Sequence, residues 1–431
     1  MWIIIQFVLY LRLFEKSEIT ERNVKMSLSF TEKEFIPVML GGDINTYSVS
    51  RAFYEKYNTK CYVFGKYPTG PSFDSRIIEY EADPRIETDD YFVERINRFA
   101  AEHKDKTIIL VGCGDSYVAL CSKHKSELAE NIITPYIDYD LMHSLQMKET
   151  FYGLCDKWGI DYPGTVIYDR SMGKEFEMNF EYPVIMKPSN GIQYWEHPFD
   201  TKKKVYTIHD RDELISVLDD IYNAGYTDKM IIQDRIPGND EYMRVLTSYS
   251  DHNGKVKMMC LGHVLLEEHT PHGLGNHALI ITEPNDELME RVKNLLESMH
   301  YVGYSNFDIK YDTRDGKFKF FEINTRQGRS NFYVTGSGFN VAEYITEDYF
   351  YGKDLPLKYA REERLWTVVP KGVALKYVKD PDLKSRMKKL WSDGKVVNPV
   401  FLKGDSNPGR MYRMIRTYFS HYVKFKKYYK I

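Results

Sequence analysis

Residues 303–331, GYSNFDIKYDTRDGKFKFFEINTRQGRSN, form the stretch of this sequence that is most informative about its structure. Apolar and polar residues alternate over residues 307–312, which is the period of a half-buried β-strand. Asp315 and Gly316 form a dipeptide that is typical of a turn, and residues 318–323 predict the returning strand. The stretch is therefore predicted to form a β-hairpin.

The length of the turn decides which side chains of the hairpin face each other. If residues 314–316 form a three-residue loop with its glycine in the left-handed region, Thr313 pairs with Lys317. Counting back along both strands, Asp308 falls opposite Glu322. The two carboxylates are therefore predicted to lie side by side on one face of the ribbon.

Two adjacent carboxylates repel each other unless a positive charge lies between them. Asn324 follows two residues after Glu322, so its side-chain oxygen shares the face of Asp308 and Glu322. Mg²⁺ prefers oxygen ligands and is usually held by one or two carboxylates together with substrate phosphates. The pattern favours a platform for Mg²⁺ and a nucleotide, and the alternative is a surface hairpin with solvated charges.

Composition limits the class of protein. A chain of 431 residues, 43% hydrophobic and 28% charged, is typical of a globular protein with two or three domains. The net charge of −3 gives no general attraction to nucleic acid, and none is predicted as a partner. The five cysteines include no CxxC pair, which fits a reduced cytoplasm better than a disulfide framework or a zinc site.

The first residues, MWIIIQFVLYLRLF, are apolar, but Gln6 and Arg12 interrupt them. The run is shorter than the roughly 20 residues that a spanning helix needs, and it lacks the basic start and cleavage site of a signal peptide. We therefore predict no stable membrane insertion and interpret residues 1–25 as a dispensable extension, with a membrane-surface helix as the alternative. Deleting them is expected to leave activity intact.

Two apolar runs end in glycines and lead into helical patterns. They are FIPVMLGG, from Phe35 to Gly42, and TIILVGCGD, from Thr107 to Asp115. Each is typical of a strand–turn–helix unit in a parallel α/β sheet. The glycine spacing does not match the dinucleotide fingerprint, and no Walker A pattern occurs in the chain.

The upstream segments resemble those of the ATP-grasp superfamily. Asp308 and the motif F-E-I-N-T-R follow, in the family's order, Lys148, the segment VIMKPSN with Lys187, and the segment IIQDRIPGND with Gln233. Within the superfamily, the chain from about residue 34 to residue 351 is most similar to the D-aspartate ligases, carboxylate–amine ligases of cell-wall synthesis. The shared stretches are FIPVMLGGD, PYIDYDL, RVLTSYSD, MMCLGHVLLE and INTRQGRSNFYVT.

The resemblance implies an α/β (α+β) fold in which a parallel α/β domain precedes an ATP-grasp domain. The division that it implies is an extension over 1–32, a substrate-side domain over 33–145, an ATP-grasp domain over 146–355 and a C-terminal extension over 356–431.

The resemblance also implies which residues bind the nucleotide and the metal. ATP and Mg²⁺ are the expected cofactors, with two ions bridged by Glu322 and with Mn²⁺ as an alternative metal. The backbone of Arg235 and Ile236 would contact the adenine edge, and Gln233, where the family commonly has an acid, would approach its amino group. The other residues with implied roles are Lys148 and Lys187 at the phosphates, Asp240 at the ribose, and Asp308, Glu322 and Asn324 at the metal. For Arg244, on the next strand, a phosphate-side role and a surface position are the two alternatives.

Arginines after the hairpin are candidates for the chemistry. Arginine binds carboxylates and phosphates through two parallel hydrogen bonds. Arg326 is the first choice for the reacting carboxylate or the transferring phosphate, while Arg329 and Ser330 are assigned to substrate recognition, with a structural ion pair as the alternative for Arg329. By resemblance alone, Gly41, Gly42 and Asp43 are further candidates on the substrate side.

The segment GHVLLEEHTPHGLGNHA carries four histidines but has no metal-ligand spacing. We interpret it as a mobile loop that closes over substrate. Its histidines are His263, His269, His272 and His277.

The last residues, GRMYRMIRTYFSHYVKFKKYYKI, are basic and aromatic and contain no acid. They favour an amphipathic helix packed on the core with its lysine stems along apolar surface. A surface that contacts a sugar nucleotide or a membrane is the alternative.

The resemblance implies a cytoplasmic, ATP-dependent ligase that activates the β-carboxylate of D-aspartate as an acyl phosphate. The acceptor would be the lysine side-chain amine of a nucleotide-linked peptidoglycan precursor. The alternatives are a ligase for another amino acid or peptide, an ATP-grasp kinase, and a non-catalytic nucleotide-binding module. The sequence predicts no oligomeric state.

Overall fold

The computed structural model describes residues 28, 30–189, 191–405 and 407–430. Residues 1–25, interpreted above as a dispensable extension, lie outside the described residues. Within the described residues, no helix combines the length and the apolar character needed to cross a membrane. The five cysteines are buried free thiols.

A parallel sheet with helices on both faces forms the N-terminal unit, as the two glycine-ended runs predicted. Its elements are β1 (Phe35–Leu40), α1 (Ile44–Tyr57), β2 (Cys61–Gly65), β3 (Ile78–Ala82), α2 (Asp89–Glu102), β4 (Thr107–Gly112), α3 (Asp115–Lys123) and β5 (Ile132–Ile133). The strand order is β3-β2-β1-β4-β5, with every neighbouring pair parallel. Met39 of β1 shares a core cluster with Phe53 of α1, and Leu40 shares another with Ile96 of α2. Successive strand residues thus bury opposite faces of the sheet.

The helical stretch after PYIDYD is divided in two. α4 (Tyr139–Gln146) and α5 (Lys148–Lys157) are separated by Met147, which has extended backbone angles of φ −77° and ψ 122°. The break makes Lys148 the first residue of α5.

A small antiparallel sheet forms the first wall of a cleft. Its elements are β6 (Thr165–Tyr168), β7 (Val184–Pro188), α6 (Gly191–Glu196), β8 (Tyr206–Ile208), α7 (Arg211–Asn223) and β9 (Met230–Asp234), and the strand order is β6-β9-β7-β8. Val184 and Met186 of β7 pack against Leu214 of α7. Because side chains alternate along a strand, Ile185 and Lys187 point to the opposite face, towards the cleft.

A larger sheet forms the second wall and contains the predicted hairpin. Its elements are β10 (Met243–Ser250), β11 (Val256–Glu267), β12 (His277–Thr282), α8 (Asp286–Ser298), β13 (Gly303–Asp312), β14 (Lys317–Asn324), α9 (Phe332–Gly336), α10 (Val341–Ile345), β15 (Lys358–Tyr359), β16 (Leu365–Thr367), α11 (Lys371–Tyr377), α12 (Pro381–Ser392), β17 (Val396–Val397) and α13 (Pro408–Tyr428). The strand order is β14-β13-β10-β11-β12-β16-β17, and β15 pairs with β11. Phe307 and Ile309 of β13 pack with Met289 of α8, so Asp308 and Lys310 face the cleft.

The C-terminal residues continue the larger sheet. β16 pairs with β12, and β17 pairs with β16. Phe425 of α13 belongs to a core cluster that contains residues of the N-terminal sheet and of the larger sheet. The centroid of its ring lies 5.3 Å from that of Tyr377. Of the two alternatives for this segment, the structure shows the packed helix. The domain boundaries, including the one at residue 356, stay a prediction.

A buried ion pair joins the C-terminal segment to the N-terminal unit. The side chains of Asp405 and Arg410 have no exposed surface, and their Oδ2 and Nη1 atoms lie 3.3 Å apart. Tyr47 donates from its hydroxyl to Asp405 Oδ2 at 2.7 Å, and Ser75 donates from Oγ to the same atom at 2.8 Å. Arg410 Nε donates to the carbonyl of Pro71 at 2.7 Å. The segment thereby fixes α1 and the loop before β3.

Candidate active site

The hairpin brings Asp308 opposite Glu322, as the sequence predicted, although its turn differs from the predicted one. Asp308 pairs with Glu322, but Asp312 rather than Thr313 pairs with Lys317. The predicted three-residue loop is therefore wrong. A bulge at Phe321 adds one residue to β14 and restores the register beyond it.

The bulge also builds a binding site for the ammonium of Lys148. That ammonium donates to the carbonyl of Phe321 at 2.6 Å and to Glu322 Oε2 at 2.8 Å. The hydroxyl of Tyr152, one turn further along α5, donates to the same carbonyl at 3.1 Å. Lys148 is thus held against the carboxylate pair, whereas the sequence assigned it to the phosphates.

The two carboxylates line the cleft and differ in their protonation energetics. Burial and the neighbouring charge of Glu322 raise the pKa of Asp308, and the ammonium of Lys148 lowers the pKa of Glu322. Asn324 Nδ2 donates to Asp308 Oδ2 at 3.2 Å. This oxygen-rich donor set fits a hard cation such as Mg²⁺. In the described residues, no group of three or more His, Cys, Asp or Glu side chains is arranged for a metal.

A cleft of about 680 Å³ lies in front of these carboxylates, between the small and the larger sheet. Lys187 of β7 lines it from the small sheet, and Asp308, Glu322 and Asn324 line it from the hairpin. Burial, together with the charge of Lys148, lowers the pKa of Lys187 to about 8. The cleft therefore places an ammonium opposite two carboxylates, an arrangement suited to a metal–triphosphate.

The segment after β9 forms one end of the cleft. Arg235 and Ile236 line it, but the carbonyl of Ile236 accepts from Lys310 Nζ at 3.0 Å. The side-chain amide nitrogen of Gln233 donates to Tyr152 at 2.7 Å and to Thr165 Oγ1 at 2.9 Å. These two hydroxyl acceptors explain why an amide rather than an acid fits at this position.

Arg244 does not reach the cleft. It pairs with Ile309 across β10 and β13, on the face opposite Asp308, and its Nε donates to Glu283 Oε1 at 3.0 Å. The phosphate-side role is therefore corrected to a structural ion pair. Strand alternation is the physical reason, since Met243, one residue earlier, does line the cleft.

Asp240 is engaged by the protein itself. Its Oδ2 accepts from the backbone amide of Glu267 at 2.9 Å and lies 3.0 Å from Nε2 of His269. The ribose contact assigned to it from the resemblance stays a prediction. Glu267, which sequence reasoning missed, lines the cleft instead, and burial beside Asp240 raises its pKa to about 8.

Arg326 connects the hairpin to the N-terminal unit. Its Nε and Nη2 donate to the two carboxylate oxygens of Asp115, at 2.7 and 3.0 Å. Its Nη1 donates to the carbonyl of Gln327 at 3.2 Å. Both Arg326 and Asp115 line the cleft. Asp115 is the last residue of the run TIILVGCGD, where nothing in the local pattern indicates a partner 211 positions later.

Arg329 lines the same end of the cleft with Ser330 and His277. Its Nη2 lies 3.6 Å from Glu268 Oε1, and within the described residues its buried Nη1 has no hydrogen-bond partner. His277 Nδ1 lies 3.3 Å from Ser330 Oγ, and burial lowers the pKa of His277 to about 4. A neutral His277 beside the guanidinium of Arg329 suits recognition of a carboxylate.

The histidine segment is only partly a loop. His263 lies in β11 and contacts Glu283, while His277 begins β12. Leu274 and Asn276 of the intervening residues line the cleft. Closure of these residues over substrate stays a prediction.

The glycines after β1 adopt the tight turn expected of them. Gly41 has φ +134°, and a Cβ there would lie 2.5 Å from Thr46 Oγ1. Asp43 caps α1, because its Oδ1 accepts from the backbone amides of Asn45 and Thr46 at 3.0 and 3.2 Å. The substrate-side role of Gly41, Gly42 and Asp43 stays a prediction.

No protein-family model matches the chain. The solved structure of L-amino acid ligase from Bacillus licheniformis has a TM-score of 0.52 and 14% identity, covering 74% of this chain and 75% of that one. N5-carboxyaminoimidazole synthetase from Staphylococcus aureus, complexed with ADP, has a TM-score of 0.54 and 16% identity, covering 80% and 84%. The biotin carboxylase domain of 2-oxoglutarate carboxylase from Hydrogenobacter thermophilus, in complex with MgADP, ADP and bicarbonate, has a TM-score of 0.53 and 16% identity, covering 77% and 72%.

These likenesses establish the ATP-grasp fold. The chain is 39% identical over 418 residues to D-aspartate ligase of Enterococcus faecium, covering 94% of this chain and 99% of the relative. The protein therefore belongs to the D-aspartate ligase family and is an ATP-dependent ligase that joins a carboxylate to an amine. The fold class and family predicted from the sequence are confirmed.

Proposed function

We propose that the protein joins the β-carboxylate of D-aspartate to the lysine side-chain amine of a nucleotide-linked peptidoglycan precursor. The observation that carries the proposal is the cleft in which Lys187 faces Asp308 and Glu322. Membership of the D-aspartate ligase family supports the choice of amino acid. We place the reaction in the cytoplasm, which supplies ATP and keeps the buried thiols reduced.

The reaction consists of two displacements. An oxygen of the β-carboxylate attacks the γ-phosphorus of ATP, the bond to the β-phosphate oxygen breaks, and ADP leaves. The amine then attacks the acyl carbon of the resulting acyl phosphate, inorganic phosphate leaves and the amine loses a proton. Positioning and charge neutralisation account for most of the catalysis in such transfers.

Asp308, Glu322 and Asn324 would hold Mg²⁺, which offsets charge on the triphosphate when bound. We extend the proposal to two ions bridged by Glu322, with Mn²⁺ as an alternative. Lys187 lies across the cleft, where it can stabilise the phosphate oxygens. Lys148 holds Glu322 in place through its 2.8 Å contact.

The two arginines are given different roles. The Nε and Nη2 edge of Arg326 is occupied by Asp115, so we assign Arg326 to the transferring phosphoryl group and the tetrahedral oxyanion rather than to tight capture of a carboxylate. Within the described residues, Arg329 makes only a 3.6 Å ion-pair contact with Glu268 through Nη2, and it lines the cleft beside Ser330. We therefore assign the α-carboxylate of the amino acid to Arg329.

A screen of ADP release tests the proposed function. Purified protein is incubated with ATP, Mg²⁺ and each D- or L-amino acid, with and without a lysine-containing muropeptide, and products are identified by mass spectrometry. We expect the largest ADP release with D-aspartate and the muropeptide, together with the mass of the aspartyl adduct. ADP release with another acid and none with D-aspartate would reject the substrate, and a phosphorylated product without an amide would reject the ligase reaction.

ATP binding is expected to take up protons near pH 8. Lys187 is about half deprotonated there, because burial lowers its pKa to about 8, and triphosphate binding favours the charged form. ATP affinity should therefore weaken as the pH rises above about 8. Calorimetry in two buffers of different ionisation enthalpy measures the uptake.

Lys187→Arg is the matched control for this measurement, since a guanidinium stays charged throughout the range. The variant should bind ATP with no proton uptake at pH 8. Equal uptake in the variant and the wild type would assign the titration to another group.

A further inference from the structure

Asp115 brings a carboxylate from the N-terminal unit into the cleft. It is the first residue of α3, it lines the same cleft as Arg326 and Arg329, and its side chain is 59% exposed although both oxygens accept from Arg326. Each carboxylate oxygen can accept more than one hydrogen bond. The pairing with Arg326 therefore leaves acceptor positions of Asp115 open to a ligand.

The other acids that line the cleft are engaged in other contacts. Among the described residues, they are Asp234, Glu267, Asp308 and Glu322. Asp234 forms an ion pair with Arg314. Glu267 lies beside Asp240 and Lys310, towards the segment after β9.

Asp43 is a second acid of the N-terminal unit whose charge acts on Arg326, so it is the alternative to Asp115 as a binding residue. Its Oδ1, however, accepts from two backbone amides and from Thr46 Oγ1 as the cap of α1. Asp115 makes no such cap contact, since α3 has Gly114 at its cap position. Asp115 is thus the carboxylate at this end of the cleft that is least engaged by the backbone.

We propose that Asp115 recognises the α-ammonium group of the amino acid substrate. The inference rests on the proposed function, and it adds the feature that distinguishes an amino acid from a simple diacid. D-aspartate carries two carboxylates and one ammonium, and the cleft presents the guanidinium groups of Arg326 and Arg329 and the partly exposed carboxylate of Asp115. Arg329 pairs with the α-carboxylate while Asp115 pairs with the adjacent ammonium.

This assignment predicts discrimination against succinate, which has both carboxylates of aspartate and lacks only the ammonium. Without an ammonium, succinate leaves the remaining acceptor positions of Asp115 unfilled and brings its own negative charge towards that carboxylate. A hydrogen bond to a charged group contributes a factor of about 10 to 100 in affinity.

The test compares D-aspartate with succinate in Asp115→Asn. The KM for D-aspartate and the inhibition constant of succinate are measured by ADP release in the wild type, in Asp115→Asn and in the control Asp90→Asn, an exposed position in the first turn of α2. In Asp115→Asn we expect the KM for D-aspartate to rise about 10- to 100-fold while succinate inhibits as well as before or better. Asp90→Asn should match the wild type in both constants.

If Asp115→Asn lowers kcat but leaves the KM for D-aspartate and the inhibition constant of succinate unchanged, Asp115 is a positioning residue for Arg326. That result would overturn the inference. Asp115→Glu keeps the charge and should retain the preference for D-aspartate over succinate, and loss of that preference would also overturn it. If Asp115→Asn is inactive, calorimetric binding of both ligands in the presence of ADP gives the same ratio. ADP release by wild type with no amino acid at all would instead reject the proposed function, and the inference with it.

Discussion

Asp308→Asn is expected to lower ADP release on the order of a thousandfold while leaving the metal-free protein at least as stable as the wild type. The loss follows because asparagine removes one of the two carboxylates that face the cleft, and metal coordination of a transferring phosphate contributes several kcal/mol. The hydrogen bond from Asn324 can persist, since asparagine retains a side-chain oxygen.

Activity is expected to fall in Asp308→Asn, whereas stability is expected to rise, because the pKa of Asp308 is raised in the folded protein. Burial and Glu322 raise that pKa in the folded protein, so the ionised carboxylate destabilises the fold at pH values above its ordinary range near 4. A neutral amide removes this cost. The variant should therefore gain free energy of unfolding at pH 7 relative to the wild type, and the gain should vanish as the pH falls towards 4.

ADP release at saturating ATP and urea unfolding in the presence of a chelator measure the two effects. Asp315→Asn is the matched control, because Asp315 lies in the turn of the same hairpin and its ion pair with Lys319 leaves it 40% exposed. The control should retain activity. Full activity in Asp308→Asn would contradict the metal-site assignment. A loss of folding stability large enough to explain the loss of activity would contradict it as well.

The hairpin shows how far local pattern determined this structure. Alternation and the Asp-Gly turn predicted both strands and the pairing of Asp308 with Glu322. The turn was one residue longer than expected, and the bulge at Phe321 compensated for it. A bulge depends on the contacts it makes elsewhere, here with Lys148 and Tyr152, and these are not contained in the strand's own sequence.

Contacts between distant segments were the part that sequence could not supply. One of the two alternatives for Arg244 places it on the phosphate side of the cleft, but strand alternation turns it to the other face. Asp115 was overlooked because nothing near it in the chain indicates Arg326 as its partner. Both cases concern the direction of a side chain, which tertiary packing decides, whereas the order of the segments in the chain sufficed to identify the fold.

The C-terminal extension is the clearest case of such a distant contact. The sequence offered a packed helix or a partner surface for it, and the structure shows Asp405 and Arg410 buried together against α1. Asp405 accepts from Tyr47, from Ser75 and from the backbone amide of Arg76 at 2.7 Å. The C-terminal segment thus closes the N-terminal unit that supplies Asp115 to the cleft.

Asp405→Ala is expected to lower the free energy of unfolding by about 3–5 kcal/mol, measured as the shift of the urea midpoint. The substitution leaves the guanidinium of Arg410 buried without its counter-charge and removes the acceptor of three hydrogen bonds. Asp219→Ala is the control: its ion pair with Lys174 has side chains 50% and 62% exposed, so its loss should cost no more than about 1 kcal/mol. Adding Arg410→Met to Asp405→Ala should recover part of the loss, because a buried charge pair replaced by apolar groups no longer leaves one charge uncompensated. A cost for Asp405→Ala no larger than that of the control would mean that the buried pair does not hold the C-terminal segment in place.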